Sequence, residues 1–207
     1  KTTIGRVSVH GVLPLAHTLD TPGPMCRDVE DAAILFNVLQ GPDPNDPLTL
    51  RRPPDDPLPV LRRGVSGLVL GRLPAPDREV ASAEVLSAYD ESLLALQALG
   101  AQLVDVRLPR RFVELGALAG RIIGAEGYSY VGMLVDDPAQ PVDDDVRPRI
   151  QVGRDMLAQD YLRLLRELEN LKAEWNAALE GVDALLTPGT ATTAPRDRTR
   201  VYAWYNA

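Results

Sequence analysis

The sequence predicts an α/β fold, and three observations carry that expectation. A short apolar run at 67–73 is followed by an amphipathic stretch at about 77–99 and an alternating run at 102–108. Strand, helix and strand with short joints form a βαβ unit with parallel pairing. Another apolar run, Asp183-Ala184-Leu185-Leu186-Thr187, follows a long amphipathic stretch and supplies a third strand.

Residues 1–25 are expected to be irregular, with short extended pieces. Thr21-Pro22-Gly23-Pro24 is turn chemistry, because proline fixes φ and glycine permits positive φ. A helix is expected from about 28 to 40. Asp28 is its N-cap, and Asp31 places an acid in the positive first turn. Val29, Ala32, Ala33, Phe36 and Leu39 recur at helical spacing. Gly41 suits the position after the C-cap, and Pro42 forbids continuation. Residues 42–64 hold seven prolines and many charges, so a surface loop without regular structure is expected there.

The helix at 77–99 places Val80, Ala83, Leu93, Leu96 and Leu99 on one face and stops at Gly100. A second helix, rich in glycine and alanine, is expected at 112–134. Its small residues allow close approach of a neighbour or a ligand. Residues 136–147 form an acidic loop, and a long helix follows at about 149–180, stopped by Gly181. Trp175 sits at helical spacing from Leu168, Leu171 and Leu179 and is expected in the core. Residues 201–207 begin a further amphipathic segment. Residues 1–207 are expected to form one domain that contains the 42–64 loop.

Composition excludes several classes. With 45% apolar and 25% charged residues, the chain is an ordinary globular one. No run approaches the ~18 apolar residues of a membrane span, and no signal-peptide core follows the first residues. The net charge is −7 without a basic patch, which argues against nucleic acid as a partner. The single cysteine, Cys26, forms no internal disulfide and suits a reducing cytoplasm.

Chemistry-bearing motifs are scarce. Asp136, Asp137, Asp143, Asp144 and Asp145 lack calcium-loop spacing, so a solvated loop with a helix-capping Asp is expected. His10 and His17 have no third ligand at zinc spacing. Ser8, His10 and Asp20 could be drawn as a triad, but proximity in sequence does not create triad geometry, and packing or solvent-facing histidines are expected. No nucleophile elbow, phosphate loop or dinucleotide fingerprint is present. From the residues alone no catalytic centre and no metal site emerge.

The first half nevertheless resembles the amidase-signature family. The matching text is Lys1-Thr2-Thr3-Ile4-Gly5-Arg6-Val7-Ser8, Gly11-Val12-Leu13-Pro14-Leu15-Ala16 and Thr18-Leu19-Asp20-Thr21-Pro22-Gly23-Pro24-Met25. Arg27-Asp28-Val29-Glu30-Asp31-Ala32-Ala33 and Gly41-Pro42-Asp43-Pro44-Asn45-Asp46-Pro47 follow at the family's distance. Beyond Pro47 the likeness is more diffuse. Glu126 stands where these proteins often carry an acid in a small-residue helix.

The resemblance implies a three-layer α/β/α fold with a mixed sheet, present here only in part. It implies hydrolysis of a carboxylic amide to acid plus ammonia or amine by a Ser–cis-Ser–Lys triad, with no cofactor. The signature stretch with both serines lies upstream of the Gly5 block in the family, and the lysine further upstream. No catalytic residue is therefore assigned to this chain, and Lys1 is not the catalytic lysine. Asp20 and Thr21 resemble a rim of the active-site cleft, with turn architecture as the alternative. Ala119, Gly120, Ile123 and Gly124 resemble the border of an acyl pocket, with helix packing as the alternative.

The expected partners are a small-molecule amide, no nucleic acid and no membrane. A homodimer, or the remainder of the amidase as a separate segment, is compatible with this. A glutamine-hydrolysing A-type subunit of a tRNA-dependent amidotransferase and a non-catalytic interaction domain are the rival expectations. Exposed apolar patches would mark surfaces where further elements pack.

Overall fold

The computed structural model describes residues 2–194. The segment expected at 201–207 lies outside them. The chain divides into two compact units, Lys1–Arg63 with Ile122–Met156, and Gly64–Arg121 with Leu157–Ala207.

In the first unit, helix α1 spans Val29–Leu39. The Asp28 carboxylate accepts the Asp31 N–H at 2.9 Å, satisfying one of the donors that a helix start leaves unpaired. Gly41 adopts φ 133°, which a residue with a side chain rarely takes. Only Ala33 of α1 is buried, and Val29 and Val38 are more than two-thirds exposed. The apolar spacing thus marks a face left open within the described residues.

Residues 42–64 are more ordered than expected. Short 3₁₀ turns form at Thr49–Arg51 and Leu58–Val60. Asp46 and Thr49 are buried. The Asp46 carboxylate accepts the N–H groups of Val9 at 3.0 Å and Leu48 at 3.1 Å. The Thr49 hydroxyl accepts the Asp43 N–H at 2.7 Å and donates to the Asp46 carbonyl at 2.8 Å. Side-chain acceptors here replace a ladder, which proline denies to the backbone.

The second unit holds the sheet. Strands β1 (Val69–Arg72), β2 (Gln102–Asp105) and β3 (Ala184–Leu186) lie in the order β2-β1-β3, and both pairings are parallel. Between β1 and β2 the expected single helix is two, α2 (Ala75–Arg78) and α3 (Ala83–Ala98). Ser82 divides them. Its hydroxyl accepts the Val85 N–H at 3.4 Å and caps α3. Accordingly Val80 and Leu99 are exposed, while Tyr89 and Leu93 are buried. Leu73, Tyr89, Leu93 and Ala191 form the core, with Leu103, Phe112 and Leu186 packed against it. Burying Leu73 completely contributes about 2 kcal/mol.

Helix α4 (Phe112–Asp136) begins in the second unit and ends in the first. Its first N–H, on Phe112, donates to the buried Asp77 carboxylate at 2.9 Å. Trp175 and Phe112 pack edge to face, with ring centroids 5.7 Å apart at 74°.

The long helix expected at 149–180 is also two helices, α5 (Arg147–Gln151) and α6 (Ala158–Ala178). Gly153 lies in the break, where a β-carbon would sit 2.8 Å from the Ala125 Cα and overlap the Gly124 carbonyl. Helix α5 starts without a side-chain cap, and the Asp143 carboxylate instead accepts the Asp145 N–H at 2.9 Å.

Candidate functional site

The residues singled out in the sequence fall mainly into two places. Asp20 borders a half-enclosed cavity of about 250 Å³ in the first unit, beside His10, His17, Asn45, Asp46 and Tyr130. Its carboxylate accepts the N–H groups of Leu15 at 2.9 Å and Ala16 at 3.0 Å. Those bonds close the 15–20 loop on itself through a side-chain acceptor, without regular structure. Thr21 follows Asp20 and is partly buried. The next carbonyl, of Pro22, accepts the Thr2 hydroxyl at 2.7 Å.

Glu126 fixes this loop from a distance. It is buried on α4 and accepts the Thr18 N–H at 2.8 Å and the Thr18 hydroxyl as well. Tyr130 lies one helical turn further along α4 and faces the same cavity. Gly127, between them, lies close under Leu15, where a β-carbon would be 3.3 Å from the Leu15 carbonyl oxygen. Tyr130 of α4 therefore forms part of one wall, and the loop that Glu126 pins forms another.

The four small or apolar residues of α4 have differing surroundings. Gly120 is open, with nothing near the position of a β-carbon. Ala119 and Ile123 are partly buried. Gly124 is buried, and a β-carbon there would lie 3.1 Å from the Arg149 carbonyl oxygen and 3.3 Å from the Val152 β-carbon. Its missing side chain is thus taken up by α5 and the residues after it.

Ser8, His10 and Asp20 do not assemble as a triad. The Ser8 hydroxyl donates to Asp43 at 2.7 Å and accepts the His10 main-chain N–H at 3.1 Å. The Ser8 hydroxyl, first among several hydrogen bonds, holds the Asp43 carboxyl below its usual range. His10 and His17, expected to pack or face solvent, both border the cavity while remaining exposed. The link from Glu126 to Thr18 spans 108 residues and has no local signal.

Among the described residues no group of three His, Cys, Asp or Glu is placed to hold a metal ion. No described helix is long and apolar enough to cross a membrane.

The family model described as Amidase matches residues 1–206. Over 217 residues the chain is 33% identical to the A-type subunit of the glutamyl-tRNA(Gln) amidotransferase of Thermosynechococcus vestitus, covering 94% of this chain and 45% of that protein. It is 31% identical over 202 residues to an amidase of Pseudomonas putida, covering 98% of this chain and 43% of the relative. A solved protein from a vestigial complex that reveals the origins of an s-triazine catabolic enzyme superposes with a TM-score of 0.83 at 30% identity, over 96% of this chain and 42% of its own. The chain spans less than half the length of these curated relatives.

Proposed function

The chain belongs to the amidase-signature family, and on that premise we propose that it forms part of an enzyme hydrolysing a carboxylic amide to acid plus ammonia or amine. In this reading the Ser–cis-Ser–Lys residues lie outside the chain, and the 207 residues by themselves are inactive. One observation carries the second point. Among the described residues the one lysine, Lys172, stands on α6 and pairs with Glu169 at 2.6 Å, while Ser8 gives its hydroxyl to Asp43. Lys172 is thus paired with a carboxylate and not with a serine, and Ser8 is not paired with a lysine, as the family's mechanism would need. The open apolar face of α1 supports further chain packing against it.

Asp20 and Thr21 shape the rim of the cleft. Ala119, Gly120 and Ile123 border an acyl pocket with room for a bulky or aromatic group, and Gly124 serves that wall through its packing on α5. The substrate is a small amide, no cofactor takes part, and the protein works in the cytoplasm without nucleic acid or membrane contact. Its partner is a second copy or the rest of the amidase on a separate segment. A glutamine-hydrolysing component of an amidotransferase is the second reading, favoured by the 33% identity to such a protein.

Ammonia release from glutamine and from a panel of aliphatic and aromatic amides tests these readings. The 207-residue chain alone should release none. The same chain joined to or mixed with a Ser–cis-Ser–Lys segment should release it, and release from glutamine only would select the amidotransferase reading. Turnover by the chain alone would overturn the placement of catalysis outside it. A completed protein that turns nothing over would leave the non-catalytic reading.

A further inference from the structure

The cavity beside Asp20 has a charge pattern that points to a ligand class. Of about 250 Å³, it has room for roughly eight water-sized groups. Val12, Pro14 and Pro47 give it apolar walls, and among the described residues neither lysine nor arginine lines it. Two carboxylates border it, Asp20 and Asp46, and main-chain N–H donors hold both in place. The Tyr130 ring and the His10 and His17 imidazoles complete the border.

A half-enclosed space with two carboxylates and neither lysine nor arginine beside it attracts cations and repels anions, more strongly as water is displaced. The face of a phenol ring attracts ammonium groups. An ammonium has three N–H donors and no acceptor, and the carboxylate oxygens offer acceptors that it needs. The apolar walls suit the hydrocarbon part of the same molecule.

We propose that this cavity binds the protonated amino end of a small apolar amine. The proposal deepens the amide-hydrolysis reading, on which its placement at the cleft rim rests, because an amine is one half of what that reaction separates. Binding itself needs no turnover, so the two ideas fail independently. Glu126 acts at one remove, by holding the loop that carries Asp20 against the helix that carries Tyr130.

The experiment is a titration of benzylammonium into the ¹⁵N-labelled full chain, followed by NMR, with benzyl alcohol and benzoate as neutral and anionic counterparts. Saturable shifts confined to residues around His10, His17, Asp20 and Tyr130 are expected, with benzylammonium bound about tenfold or more tighter than either counterpart. Asp20→Asn should remove that preference. Should Asp20→Asn unfold, Tyr130→Leu provides the second check and should weaken benzylammonium more than benzyl alcohol. No saturable binding, equal binding of the three compounds, or a preference that survives in a folded variant would overturn the proposal.

Discussion

Glu126 accepts two hydrogen bonds from one residue, Thr18, through its main-chain N–H and its hydroxyl. The carboxylate is buried, so its bonds are shielded from water. Glu126→Ala would leave the Thr18 N–H without this acceptor. A loss of about 2 kcal/mol is expected in denaturant unfolding. Thr18→Val keeps the N–H bond and should cost about 1 kcal/mol. Equal costs for the two would show that the main-chain bond contributes nothing.

Two glycines, Gly120 on α4 and Gly153 packed against it, should respond to alanine with opposite signs to one another. Gly153→Ala drives a methyl into the Gly124 carbonyl and should destabilise by about 3 kcal/mol. Gly120→Ala meets nothing and should stabilise by about 0.5–1 kcal/mol, since glycine weakens a helix interior. Thermal midpoints of the two variants check both signs.

How much of this is legible in the sequence depends on distance along the chain. The Asp28 cap, the Gly41 stop and the three strands follow from neighbours a few residues apart, and the sequence predicts them within a few positions. Ser82, followed by Glu84 in the first turn of α3, is a readable cap signal inside the expected 77–99 helix. The break between α5 and α6 is not readable, because Gly153 is explained by Gly124, a residue on another helix. The candidate site divides in the same way. Asp20 belongs to a local motif, whereas Tyr130 reaches the cavity, and Glu126 the loop beside it, only through tertiary packing.

Tyr89 joins the ends of two strands. Its hydroxyl accepts the Leu73 N–H at 3.0 Å and donates to the Leu186 carbonyl at 3.0 Å. Tyr89→Phe keeps the ring in the core but leaves both main-chain groups short of a partner. A loss of about 1–3 kcal/mol is expected. Faster amide hydrogen exchange at Leu73, without change at residues of α4, would locate the loss.

Acid should act through Asp136. The hydrogen bond from Arg154, and then that from Tyr128, holds this carboxyl below its ordinary 3.8. A group lowered by folding stabilises the protein above its ordinary value, and the contribution disappears as pH falls through the lower, folded value. Tyr128 behaves in the reverse sense. Its hydrogen bond to Asp136, with burial second, raises it above 10.0, so its contribution is present below that value and is lost as pH rises through the folded one. In an unfolding series against pH, Asp136→Asn should flatten both the acid limb and the alkaline limb. Unchanged limbs would exclude the cluster from pH-dependent stability.

The strand order β2-β1-β3 places the four residues of β1 between two neighbours and gives each outer strand only one. Half of the hydrogen-bonding groups of β2 and β3 therefore point away from the described sheet. Such borders are templates for strand addition. The same geometry that would let a larger sheet extend on both sides makes this stretch of chain, when produced by itself, a candidate for self-association through its borders, and solubility during expression becomes a readout of how well those borders are covered.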